Sequence, residues 1–206
     1  MLDKLLPGLD RGLAFKLVAF HTFIIALSNW LVTFKFTMFG HPLAYAAFTF
    51  PLVVVATDLT VRLVGKEMGR AVVGMSFIPA IIVSILVIMA TGAPTSVALR
   101  IGTASGLAYL ISTLLDVYVF QYFREKYKAW FIAPTLSSVF ATFIDTYTFF
   151  GAAFYKGADD FMRENWHIVA SNHIVTKIIV SLLVILPLYG ILLNYLMTKL
   201  KSDALE

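Results

Sequence analysis

Four ionisable residues stand inside long apolar runs of this sequence: Asp58, Asp116, Asp145 and Lys177. A charged group at bilayer depth costs about 2.5–3.5 kcal/mol on insertion scales, so it usually faces a partner, a bundle interior or a water-filled path. Asp116, Asp145 and Lys177 each sit on a polar stripe. Ser105, Tyr109, Ser112 and Asp116 step by four, three and four, which puts them on one helix face. Ser138, Thr142 and Asp145 do the same, as do His173, Lys177 and Ser181. His21, Ser28 and Asn29 form a fourth set. Such groups suit the holding of a polar solute: carboxylates accept from N–H donors, amides and hydroxyls do both, and an ammonium donates. They do not suit soluble-enzyme chemistry. The sequence has no Walker A loop, no HExxH, no GxSxG, no cysteine and no His cluster at metal-ligand spacing. No catalytic residue, metal or other cofactor is expected.

The elements that must position these groups follow from composition. Of the 206 residues, 60% are hydrophobic and 14% charged, against about 45–50% and 25% in soluble domains. A chain this short cannot hide that much apolar surface from water. Six windows are long and apolar enough to cross a bilayer: about 17–36, 43–63, 71–91, 97–123, 130–154 and 168–198. The first is read as a retained helix, since it is long for a signal peptide and lacks a small-residue cleavage site. The expected fold is an all-α polytopic bundle of six transmembrane helices forming one domain over residues 1–206. Three spans per half would give the halves opposite topology, as in inverted-repeat transporters. The weak Pro–Asp pattern shared by spans two (Pro51, Asp58) and five (Pro134, Asp145) is more simply chance similarity.

Basic residues set the expected orientation. Lys4, Arg11 and Lys16, then Arg62, Lys66 and Arg70, then Arg124, Lys126 and Lys128, then Lys199 and Lys201 all fall on one side. The other side carries Lys35, Arg100, Lys156 and Arg163. This asymmetry places both termini in the cytoplasm and accounts for the +4 net charge without a nucleic-acid partner. The partners expected are the lipid bilayer and a small-molecule substrate. Gly74, Gly102 and Gly106 would permit close helix packing within a protomer or in a homodimer.

Helical rise sorts the buried charges into two layers. Asp58 and Asp116 lie roughly 10 Å in from the cytoplasmic boundary. Asp145 and Lys177 share a depth in the outer half and form the natural ion pair. Structural roles compete with functional ones. Asp58 and Arg62, spaced i, i+4, suit an intrahelical ion pair. Asp145–Lys177 suits fixing helix register. Ser and Thr in the stripes suit interhelical hydrogen bonds. Asp116 has no cation within a turn of its own helix, which favours a functional role. Trp30, Trp130 and Trp166 fall near helix ends as interface anchors.

Several strings then point to a family. They include Phe20-His21 with Ser28-Asn29; Phe50-Pro51; Ala56-Thr57-Asp58-Leu59-Thr60-Val61-Arg62, the most specific piece; Pro79-Ala80; and Arg100-Ile101 with Ala104-Ser105. Asp116-Val117, Trp130, Ala133-Pro134-Thr135, Asp145-Thr146, Asp160-Phe161-Met162, Lys177, Leu186-Pro187-Leu188-Tyr189-Gly190 and Leu193-Asn194 continue the pattern. Through all six spans the chain resembles the bacterial queuosine-precursor transporter family. The loop between spans three and four is shorter than the family's familiar form, and the N-terminus differs; neither touches these strings.

The resemblance implies import of a 7-deazaguanine base, of which 7-cyano-7-deazaguanine is the type, across the bacterial inner membrane for queuosine in tRNA. A guanine-like base presents an N1–H beside an exocyclic amine, a pair one carboxylate can accept. The expected substrate path is lined by Asp58, Asp116, Asp145, Lys177, Asn29, Arg62, Ser105, Tyr109 and Asn194. Asp58 or Asp116 would read the base's donor edge, and Asn29 or Asn194 its O6. Proton-linked transport through a carboxylate and facilitated diffusion both stay open. The rival readings are a substrate-capture subunit of an energy-coupling vitamin transporter, and a non-transporting scaffold subunit.

Overall fold

The computed structural model describes residues 11–31, 34–38 and 41–203; Lys4 of the charge argument lies outside them. Helix α1 (Arg11–Leu31) buries Ala14, His21, Ile24, Ile25, Ser28 and Asn29, a stripe at three- and four-residue steps. Span one was expected to run to 36 and span two to begin at 43. Instead, β1 (Lys35–Met38) and β2 (His41–Ala44) pair antiparallel, with Phe36 opposite Leu43. A 3₁₀ turn, Tyr45–Phe48, follows. The ring of Phe36 packs 4.8 Å from Tyr45 and 6.0 Å from Phe48, centroid to centroid. Helix α2 (Phe50–Val64) starts where Pro51 can sit, in a first turn that needs no N–H from it.

Gly65 ends α2 and begins α3 (Lys66–Ala90) with φ 104°, a backbone region that favours glycine. This lets the chain reverse in one residue. Helix α4 (Thr95–Lys126) has 32 residues, about 48 Å at 1.5 Å per residue, longer than the hydrocarbon layer. Its GxxxG step, Gly102 and Gly106, lies against Ile85 and Ile81 of α3, where a Cβ would collide. These glycines thus close packing within the chain, while Gly74 faces open space. The homodimer expectation draws nothing from the first two.

Helix α5 (Ile132–Phe154) follows. Its final carbonyls, with those of the next turn (Ala152, Tyr155 and Lys156), accept from the Arg100 guanidinium, a cation placed at the negative end of a helix. Helix α6 (Asp160–Val180) begins eight residues before the expected 168, because Asp159 caps it by accepting from the Met162 N–H at 2.8 Å. A π turn, Ser181–Ile185, then joins α6 to α7 (Leu186–Asp203) within one span. Pro187 lacks the N–H that the preceding turn needs, and a π turn is one way to absorb that loss.

Five of these stretches are long and apolar enough to cross a membrane. The remaining helix, α5, is diluted by Asp145 and its run of Thr and Tyr. Large apolar side chains such as Phe15, Phe23, Leu183 and Ile191 point outward, as they do where lipid is the solvent. The protein is a polytopic, all-α membrane bundle with a short hairpin between its first two spans. Helix α2 is its axis: every residue from Ala56 to Val61 is buried, and a helix buried all round must be surrounded by others.

Candidate functional site

The all-round burial of α2 forces Asp58 into the bundle's interior. Asp58 is 1% exposed and Asp116, on α4, 0%. Their carboxyl groups face each other within hydrogen-bonding reach. Ser137 on α5 stands over both, its hydroxyl 3.4 and 3.5 Å from the two Asp58 oxygens. It lies 3.4 Å from its own helix's Pro134 carbonyl as well, so one hydroxyl proton serves several acceptors weakly. Neither Asp116 oxygen has a well-aligned donor among the described residues.

Apolar clusters close the dyad at both ends. Val61, Val117, Phe120 and Ala133, with Phe123, pack on one side. Ile24, Ile25, Val53, Ala56, Val73, Ala80 and Tyr109 pack on the other. Beyond the first cluster, Arg62 donates to the Trp130 carbonyl at 3.3 Å and Arg124 to the Val61 carbonyl at 3.2 Å. The expected Asp58–Arg62 ion pair is therefore not made; Arg62 acts on Asp58 only through space. The Trp130 ring, expected as an interface anchor, stacks on Tyr189 at 6.4 Å and 18°. That approach depends on Gly190, where a Cβ would strike the indole.

Asp58 also borders a cleft between α2, α5 and the π turn, lined by Val54, Thr135, Ser138, Ser181 and Tyr189 among others. The hydroxyls of Thr135, Ser181 and Tyr189 are buried without an aligned partner among the described residues. About 20 Å³ of it admits the centres of water-sized molecules, room for about one water. This conformation is closed to a flat bicyclic base.

The other predicted residues gather elsewhere. Lys177 Nζ lies 2.9 Å from Asp145 and 3.2 Å from the Thr146 hydroxyl, the pairing that matched depth suggested. Asn29 donates to Ser84 on α3 at 2.6 Å, and Ser84 reaches Ser105 on α4 at 3.5 Å. Tyr109 lies beside Ser76 of α3. Asn194 is exposed. Its neighbour Leu193 packs inward on Leu59 and Tyr189, and one residue is 100° of helix. The polar stripes thus meet different neighbours; of the predicted set, only Asp58 lines the cleft.

Sequence reasoning missed Ser137, Thr146, Ser84 and Tyr189 as partners. Ser137 adjoins Ser138, which was placed on the stripe; rotation by one position decides which of them meets the dyad.

An interior carboxyl dyad with a hydroxyl-lined cleft beside it suits the holding of a polar solute, and comparison with known proteins points to transport. Residues 44–192 match the family described as "Putative vitamin uptake transporter". The chain is 36% identical over 201 residues to the queuosine precursor transporter of Escherichia coli (strain K12), covering 92% of this chain and 90% of that one. It is 34% identical over 210 residues to the "Probable queuosine precursor transporter" of Haemophilus influenzae, covering 91% and 89%. No solved structure matches it. With matches of this length and identity across the spans that build the dyad, the chain belongs to the queuosine precursor transporter family of membrane transporters, and it is not an enzyme.

Proposed function

We propose that this protein imports a 7-deazaguanine queuosine precursor, 7-cyano-7-deazaguanine above all, across the bacterial inner membrane with both termini in the cytoplasm. The observation that carries this reading is the position of Asp58. It is a carboxylate on the axis helix, wholly buried yet on the wall of the cleft. The guanine edge of such a base offers two adjacent N–H donors, and one carboxylate accepts both. The Thr135, Ser138 and Ser181 hydroxyls can meet the remaining polar atoms, and Tyr189 offers an aromatic face. The base enters when the cleft widens, with the π turn as the place where span six yields. Asp145 with Lys177, and Asn29 with Ser105, Tyr109 and Ser84, lie along the path away from this point. Arg62 stands at its cytoplasmic mouth. The names borne by the relatives support the same substrate class.

The test is uptake in a bacterial strain that neither makes the precursor nor carries its own transporter, read as queuosine in tRNA. This chain alone is expected to restore it. Asp58→Ala, which removes two charge-assisted hydrogen bonds, is expected to lower uptake about 100-fold, the equivalent of about 3 kcal/mol, while still reaching the membrane. Failure of the wild-type chain to restore queuosine contradicts the proposal; restoration only with added ATPase subunits favours an energy-coupled capture subunit instead.

A further inference from the structure

Two carboxylates face each other here with no counter-ion between them among the described residues. Both are acceptors when ionised, and burial this deep disfavours holding two like charges so close together. The groups around the pair are few: Ser137 from α5, Arg62 one turn along α2, and Tyr189 from α7. Ser137 supplies a single hydroxyl proton, and Arg62 spends a donor on the Trp130 carbonyl. A proton on one of them joins the two carboxyl groups directly, turning one acceptor into a donor. Among the described residues of the apolar clusters on either side only Tyr109 carries a donor, and it stands two turns from Asp116, beside Ser76.

We infer that Asp58 and Asp116 hold one proton between them, and that Asp116 keeps this proton when Asp58 receives the base, which makes Asp116 a specificity-determining residue. It acts through Asp58 as a positioning residue and rests on the proposed transport of a guanine-type base. The accounting closes. An ionised carboxylate has about four lone-pair sites. The Asp116 O–H and the Ser137 hydroxyl take two, and the base's N1–H and amine take the others. No bond other than these hydrogen bonds forms or breaks, and the proton stays on the Asp116 carboxyl. A neighbour that always donates keeps Asp58 a pure acceptor. An Asp58 that had to carry the proton itself would present a donor beside an acceptor, the pattern that suits an adenine-type edge.

Two measurements test this on the full chain in lipid nanodiscs. The first is infrared difference spectroscopy in the absence of any base. The wild type is expected to show the carbonyl stretch of a protonated carboxylic acid at neutral pH, sensitive to deuterium exchange. The band should vanish in Asp116→Asn and in Asp58→Asn, since an amide donor leaves the partner ionised. A wild type without that band, or a band that survives both substitutions, overturns the inference. The second is competition of a labelled 7-deazaguanine against an adenine-type 7-deazapurine. Asp116→Asn, which still donates to Asp58, is expected to keep the guanine preference with weaker binding; Asp116→Leu is expected to lose at least about tenfold of it. Undiminished preference in Asp116→Leu overturns the role assigned to Asp116. A wild type that shows the acid band but binds no 7-deazapurine refutes the transport reading and leaves the shared proton standing.

Discussion

The bundle holds two pairs of charged residues built on opposite plans. Asp145 and Lys177 are unlike charges at 2.9 Å, with the carboxylate side chain 27% exposed and the ammonium 9%. Each neutralises the other, and Thr146 takes a further Lys177 proton. Asp58 and Asp116 are like charges, both buried, with apolar clusters on two sides and the narrow cleft beside Asp58. Helix packing explains the first pair without help. It does not explain the second, because two facing carboxyl groups are a poor way to join helices: an apolar pair of similar volume would be as stable or more so. A costly arrangement at the axis of a carrier points to a use that apolar residues cannot serve.

Substitutions can break that contrast or sharpen it. The largest difference is expected between Asp58→Asn and Asp145→Asn. The first should cost about 100-fold in precursor uptake, whereas the second, leaving Lys177 with Thr146, should cost about tenfold or less. Equal losses would erase the distinction. Next comes Lys177→Met, which leaves Asp145 unpaired; thermal unfolding in detergent should show a loss of about 2–3 kcal/mol, below the 3–5 of a fully buried broken pair. The double variant Lys177→Met/Asp145→Asn should recover part of it, and no recovery would mean that the two do not act as a pair. Gly190→Ala should force the Trp130 ring off Tyr189 at a cost of about 1–3 kcal/mol, visible as a change in tryptophan fluorescence; an unchanged spectrum would contradict the close packing. Asn194→Ala should be the mildest, within about 0.5 kcal/mol and without effect on uptake.

Much of this was legible before any coordinates. Apolar run length disclosed the spans, and helical rise matched Asp145 to Lys177 and Asp58 to Asp116 by depth. Depth does not disclose rotation. Whether Asp58 turns to Arg62 on its own helix or to Asp116 on another depends on how α2 sits among the helices around it. The same ambiguity hid Ser137 as the partner of Asp58 and left the outward turn of Asn194 unread. The strand pair at 35–38 and 41–44 was hidden because Phe, Leu and Ala there fill an apolar window as a helix would. The start of α6 was hidden for the opposite reason: Asp160 to His167 is polar, and only the Asp159 cap signals that helix begins there.

The most direct test of the account is binding of 7-cyano-7-deazaguanine to the purified chain in nanodiscs, with and without Asp58. Saturable binding by the wild type, about 100-fold weaker in Asp58→Asn, is the expected result. Binding of equal strength in the two proteins would contradict the claim that the Asp58 carboxylate reads the base.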